Sequence, residues 1–247
     1  MIKTKPAQGE LHRLREFGLR ALAHCGALDE EEEKTAHAAL ADMQSVPAGH
    51  ELIAEGEPLN RPCLLLEGWA VRQRVLSDGR RQIFSFVLPG DGLGLCARPD
   101  GVALHSTFAL TPVTLAPMPL LNQRLQTRSK SPLSDAAWNM ISLEETFLSN
   151  QVMRLGRQSA YERLIHLLLE FHDRLKAKGA VEDGSFVMPF TQEVLSDALG
   201  LSTVHTNRVL QQLRRERLIQ THAATVRLVD LVLLAEVADY HRSPRLG

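Results

Sequence analysis

The sequence predicts an α+β protein with a jelly-roll-like β domain, a long helix and a C-terminal helix-turn-helix followed by a short hairpin. Three observations predict it. Between Ser45 and Pro119, turn residues interrupt short apolar runs at roughly 8–12-residue spacing, as in an all-β sandwich or barrel. Residues 134–155 then contain neither Gly nor Pro. Finally, two short amphipathic segments flank Gly200, and two strand-like runs follow them.

The elements follow in order. Residues 9–43 read as helix, because Leu11, Leu14, Leu19 and Leu22 recur at helical intervals. The run Asp29-Glu30-Glu31-Glu32-Glu33 is expected to be a solvated helix start, where carboxylates favour the positive end of the macrodipole. Strands are expected at Leu52-Ile53, 63–66, 71–76 and 83–88, separated by Pro47-Ala48-Gly49, Glu55-Gly56-Glu57, Glu67-Gly68, Ser77-Asp78-Gly79-Arg80 and Pro89-Gly90-Asp91. Asp78-Gly79 is a hairpin signal, since Gly accepts positive φ.

Ser131-Pro132 supplies an N-cap and first-turn pair for the long helix, which is ~33 Å long at 1.5 Å per residue. Trp138, Ile141, Leu148, Val152 and Leu155 step by three and four residues, with Glu145 as the one mismatch. Ala136, Met140, Leu143 and Phe147 form a second stripe. One stripe can cover the β domain and the other a symmetry-related helix in a coiled-coil dimer. The competing reading is a monomeric core helix buried on two sides. A further helix, 159–176, carries Leu164, Leu167, Leu168, Phe171 and Leu175, and Gly179 and Asp183-Gly184 end it.

Composition bounds the function. The 247 residues carry a formal net charge of −1, with 44% hydrophobic and 23% charged residues, the balance of a globular chain. Cys25, Cys63 and Cys96 are odd in number and lack CxxC spacing, which argues against a disulfide framework or zinc site and for a reducing, cytoplasmic setting. The basic start, Met1-Ile2-Lys3-Thr4-Lys5-Pro6, is followed by no apolar signal-peptide stretch. No run approaches the ~18 apolar residues of a membrane span.

The C-terminal segment carries the functional reading. After a short strand at 186–189, Thr191 caps a helix over 192–199, Gly200 ends it, and Ser202 caps the next helix over 203–215. This spacing makes a helix-turn-helix. Thr206, Val209, Leu210 and Leu213 should face the core, leaving Thr203, Val204, Asn207, Arg208 and Gln211 outside. Arg can bond guanine bidentately, Asn or Gln can bond adenine, and Val suits a thymine methyl. Arg214, Arg215 and Arg217 extend this surface as phosphate contacts. From Ser202 to Arg227 there are five Arg and one acid, Glu216. The segment is therefore +4 inside a −5 remainder, and overall neutrality is no argument against nucleic-acid binding. Residues 218–220 and 226–229, around His222-Ala223-Ala224, read as a wing.

With these residues in view, the chain resembles the Crp/Fnr family of bacterial transcription regulators from about Leu11 to Tyr240. The resemblance is carried by Pro47-Ala48-Gly49 and Gly56, 64–68, Leu88-Pro89-Gly90-Asp91, and above all Thr191-Gln192-Glu193, Ala198-Leu199-Gly200-Leu201-Ser202, Asn207-Arg208-Val209-Leu210, Leu213 and Leu218-Ile219. It implies an N-terminal double-stranded β-helix (cyclic-nucleotide-binding-like) domain over 1–131, a dimerisation helix over 132–157 and a winged helix-turn-helix over 158–247.

By the resemblance, base contacts fall on Thr203, Val204, Asn207 and Arg208, with Thr191, Gln192, Ser202, His205, Gln211, Arg214 and Arg215 contacting phosphate or supporting the reader. Val204 replaces an acid of well-known members, Arg217 stands where Gly is common, and the wing tip lacks Gly. The effector positions become Gly94, Leu95, His105 and Ser106. Leu95 replaces the ribose-binding acid and His105 the phosphate-binding Arg, which argues against cyclic AMP. Three scattered cysteines do not provide the four of the iron–sulfur branch. For haem, the axial candidates would be His24, His37, His50 and His105, each more often an ordinary histidine.

The expected protein is thus a homodimeric, double-stranded-DNA-binding regulator of an inverted repeat, meeting RNA polymerase if it activates. Two other readings are weighed against it. In one, the β-roll binds a ligand and the helical hairpin only contacts proteins. In the other, the roll is a cupin-like metalloenzyme, but Gly49-His50-Glu51 offers one His without a His-x-His partner.

Overall fold

The N-terminal helix expected over 9–43 is two helices. The computed structural model describes residues 8–23, 28–128 and 130–242; His24 and Cys25 lie outside them. Helix α1 (Gln8–Ala23) precedes α2 (Glu30–Ala41), whose N-cap Asp29 accepts a 2.8 Å hydrogen bond from Glu32 N. The acidic run therefore starts a helix, but it is not wholly solvated. Glu32 is 0% exposed, its Oε2 accepts from Leu133 N at 3.3 Å, and its Oε1 lies 3.7 Å from Arg124 Nε.

The β region continues through β1 (Gln44–Val46), β2 (Glu51–Ile53), β3 (Cys63–Glu67), β4 (Ala70–Val75), β5 (Arg81–Val87), β6 (Gly92–Leu93), β7 (Ser106–Ala109) and β8 (Val113–Pro117). They form two four-stranded sheets, β1-β8-β3-β6 and β2-β7-β4-β5. Sequence-distant strands are paired in both, for example Val46 with Val113 and Val71 with Phe108. Between the sheets, Val46, Leu65, Ala70, Val87, Leu93, Ala109 and Val113 form one apolar core. The turn expected at Asp78-Gly79 is present. Gly79 has φ +85°, and the Asp78 carboxylate accepts from Arg80 N at 3.0 Å.

After the sheets come α3 (Pro119–Thr127), α4 (Pro132–Arg157) and α5 (Ala160–Lys176). Pro119 opens α3 rather than closing the β region, because the missing N–H costs nothing in a first helical turn. A second core joins α1, α2 and the start of α4 through Leu14, Leu22, Leu40, Leu121, Leu133 and Ala137. Helix α5 opens with a capping box in which Ser159 and Glu162 bond reciprocally.

The C-terminal elements are β9 (Ser185–Val187), α6 (Gln192–Leu199), α7 (Thr203–Arg215), β10 (Ile219–His222), β11 (Thr225–Leu228) and α8 (Leu231–Val237). The three strands form one antiparallel sheet in the order β10-β11-β9. By contacts the chain falls into two compact units: Met1–Arg74 with Phe86–Glu145, and Val75–Ser85 with Thr146–Gly247. Among the described residues, no helix is long and apolar enough to cross a membrane.

Candidate DNA interface and effector region

Helix α7 begins where Ser202 accepts from His205 N at 3.2 Å. Its inner face, Thr206, Val209, Leu210 and Leu213, is buried. Thr206 is polar yet fully enclosed, and its Oγ1 accepts from Ser196 Oγ of α6 at 3.0 Å. This bond, together with the apolar contacts, locks α6 and α7 into one body. The turn between them has Gly200 at φ +64°, a left-handed conformation that closes α6 without strain only for Gly.

The opposite face is open. Thr203, Val204, His205, Arg208, Gln211, Arg214 and Arg215 are exposed and Asn207 is half-buried. Val204 is 72% exposed, so an apolar side chain is held in solvent at the tip of the helix. Thr191 occupies the N-cap of α6 but makes no side-chain capping bond, contrary to the expected cap. Thr191, Gln192 and Arg214 instead border one cleft together with Ala223 and Ala224 of the wing turn.

Glu216, the single acid of the basic segment, is exposed but engaged by neighbouring side chains. It accepts from the Tyr161 hydroxyl and, at 2.9 Å, from Gln212 Nε2. These bonds hold its carboxyl below the usual range and push the Tyr161 phenol up, to which burial adds most. The five arginines of this segment are all exposed, and the one acid among them hydrogen-bonds to Tyr161 and Gln212.

The wing is a two-residue hairpin with His222 paired to Thr225. It lacks the expected Gly, and strain takes its place: Ala223 has φ +49° and Arg217, before β10, has φ +59°. Each costs a non-Gly residue of the order of 1 kcal/mol. The sequence signals were the missing glycines themselves.

On α4, the stripe containing Ala136 and Phe147 is buried, with Met140 and Leu143 half-buried. The other stripe is open: Trp138 and Leu148 are exposed, Ile141 and Leu155 are half-buried, and Val152 is 72% exposed.

The effector positions are engaged by the chain itself. Gly94 borders a small cleft with Ile53, Leu59 and Cys63. Leu95 packs into the core shared with α1, α2 and α4. Ser106 Oγ accepts from Glu55 N at 3.0 Å. His105 is pushed toward the neutral form by burial and by the nearby Arg72 and Arg74 guanidinium groups. Those cations already hold carboxylates. Arg72 Nε is 3.0 Å from Glu144 of α4, with Nη2 donating to Gly92 O at 2.9 Å, and Arg74 pairs with Glu55 at 2.7 Å. Sequence reasoning missed Arg72 and Glu144, since nothing local links residues so far apart.

A solvent-facing basic helix, a wing and a roll of two sheets define a winged helix-turn-helix DNA-binding protein with an N-terminal β-roll domain. Residues 162–237 match the Crp-like helix-turn-helix domain, and residues 43–122 match the cyclic nucleotide-binding domain. The transcriptional activatory protein AadR of Rhodopseudomonas palustris is 32% identical over 221 residues, 86% of this chain and 87% of that protein. The nitrogen fixation regulation protein FixK of Rhizobium meliloti is 33% identical over 187 residues, 74% and 80% of the two chains. The solved structure of FixK2 from Bradyrhizobium japonicum superimposes with a TM-score of 0.67 at 26% identity, covering 81% of this chain and 98% of that one. The chain belongs to the Crp/Fnr family. It is a DNA-binding transcriptional regulator, and the family is one of regulators, not enzymes.

Proposed function

We propose that the protein acts in the cytoplasm as a homodimer on an inverted-repeat promoter site, with the α7 helices of two copies in successive major grooves. The observation that carries this is the two-faced α7, apolar and locked to α6 inside, and basic and open outside. Thr203, Val204, Asn207 and Arg208 read base edges, and Thr191, Gln192, Ser202, His205, Gln211, Arg214 and Arg215 hold phosphate or support the reader. The stripe Trp138, Ile141, Leu148, Val152 and Leu155 is the dimer interface: Trp138, Leu148 and Val152 are exposed apolar groups at a spacing that a second helix would cover, while Ile141 also packs on the N-terminal core. Residues 1–131 form the sensor domain, 132–157 the dimerisation helix and 158–247 the DNA-binding domain.

One relative, AadR, is named a transcriptional activatory protein, which supports RNA polymerase as a partner. Cyclic AMP is not the effector on this reading. Its anionic phosphate would need a cation, whereas Arg72 and Arg74 already hold Glu144 and Glu55 and His105 is pushed toward the neutral form. Leu95 offers a ribose no acceptor. Selection of genomic fragments by the purified protein tests the proposal. Enriched inverted half-sites centred about 10–10.5 base pairs apart are expected, and enrichment of unrelated sequence would reject it.

A further inference from the structure

We propose that Arg163 is the positioning residue that sets the angle between the long helix α4 and the DNA-reading pair α6–α7; this rests on the dimer reading above. The last four carbonyls of an α-helix lack intrahelical donors and form the negative end of its dipole. One guanidinium group, on α5, serves two such ends. Arg163 Nη2 donates to Leu155 O at 3.0 Å and Nε to Gln158 O at 2.8 Å, at the end of α4. Its Nη1 donates to Leu199 O at 3.0 Å, the last carbonyl of α6.

The neighbouring carbonyls of α6 are held from other elements. Gln151 Nε2 of α4 donates to Ala198 O at 2.5 Å, and Gln82 Nε2 of the β4–β5 hairpin donates to Asp197 O at 3.0 Å. Gly200 closes the contact, because a Cβ there would lie 3.2 Å from Leu155 Cδ2. Arg163 is the member of this set that bonds both helix ends directly. Because Ser196 and Thr206 fix α7 to α6, whatever orients α6 against α4 also orients the reading helix. In a dimer built on α4, that angle decides whether both reading helices meet their half-sites together. None of the three Arg163 bonds reaches the outer face of α7, so its loss leaves the reading surface intact.

The experiment compares wild type, Arg163→Ala and Arg163→Lys by fluorescence anisotropy. The probes are duplexes carrying the inverted repeat selected by the wild type, the same duplex with one half scrambled, and versions with the separation changed by one or two base pairs. Arg163→Ala should lose about tenfold or more on the intact repeat, because simultaneous engagement supplies that gain and geometry can forbid it. It should lose under about twofold on the single half-site and discriminate less between separations. Arg163→Lys should lie between, since a point charge without the planar fork cannot serve both ends; it also provides the reading if the alanine variant does not fold. Equal losses on intact and single sites, or an unchanged preference among separations, would overturn the proposal. A wild type that binds one half-site as tightly as two would instead overturn the dimer reading and the proposal with it.

Discussion

Replacing Glu170 by Gln should destabilise the C-terminal unit by about 3 kcal/mol, at the low end of what is lost when a buried ion pair is broken. Glu170 is 2% exposed and sits between two arginines that are equally enclosed. Its Oε2 accepts from Arg154 Nη1 at 2.8 Å and from Asn150 Nδ2 at 3.3 Å, and its Oε1 lies 3.5 Å from Arg174 Nη1. Burial opposes the carboxylate, yet the two guanidinium groups and these hydrogen bonds hold its pKa below the usual range. Gln keeps the shape and one acceptor but leaves two buried cations without their shared anion. Arg174 retains the Phe147 ring 3.9 Å away, worth on the order of 1 kcal/mol, which does not replace an ion pair. Urea unfolding followed by circular dichroism reads the change directly. At about 4–8 °C per kcal/mol for a unit of this size, the melting temperature should fall by roughly 12–24 °C. A loss under about 1 kcal/mol would show that the cluster is solvated enough to screen its charges, and the reasoning would fail.

Ala223→Gly should stabilise the protein by about 0.5–1 kcal/mol by relieving the positive φ of the wing turn, whereas Ala224→Gly should not; the same urea assay checks both, and equal effects would refute the strain. His166 is almost fully buried; burial first and then Arg154 push its pKa to about 4 from 6.5. The folded state therefore binds fewer protons than the unfolded one. Its contribution is fully present above pH 6.5 and is lost as pH falls toward 4, by up to about 3 kcal/mol. His166→Gln should flatten that slope, and a stability already flat between pH 6.5 and 4.5 in the wild type would contradict it. Isothermal titration with cyclic AMP should give no micromolar binding, and binding at that strength would refute the self-paired effector region.

The C-terminal reading was legible because its signals are local. Ser202, Gly200 and the period of Thr206, Val209, Leu210 and Leu213 fix α6 and α7 within a few residues, and the absence of Gly from the wing tip marked the turn where Ala223 takes a positive φ. The β region was legible only where turns are sharp. Strands β1, β6, β7 and β8 are two to five residues long and pair with distant segments, so periodicity had little to act on. Glu32 shows a different limit: a carboxylate in an acidic run looks solvated until Arg124 and Leu133 N are brought to it from nearly a hundred residues away. The pairing of Arg72 with Glu144 and the grip of Arg163 on two helix ends arise the same way, from tertiary geometry without a local pattern.

Binding of wild type and Arg208→Ala to the selected inverted repeat and its single-base variants decides whether the outer face of α7 reads bases. Arg208→Ala should lose roughly 1–3 kcal/mol in specific affinity, with discrimination relaxed at one base position in each half-site. Unchanged specificity at every position would show that the outer face of α7 does not read the DNA.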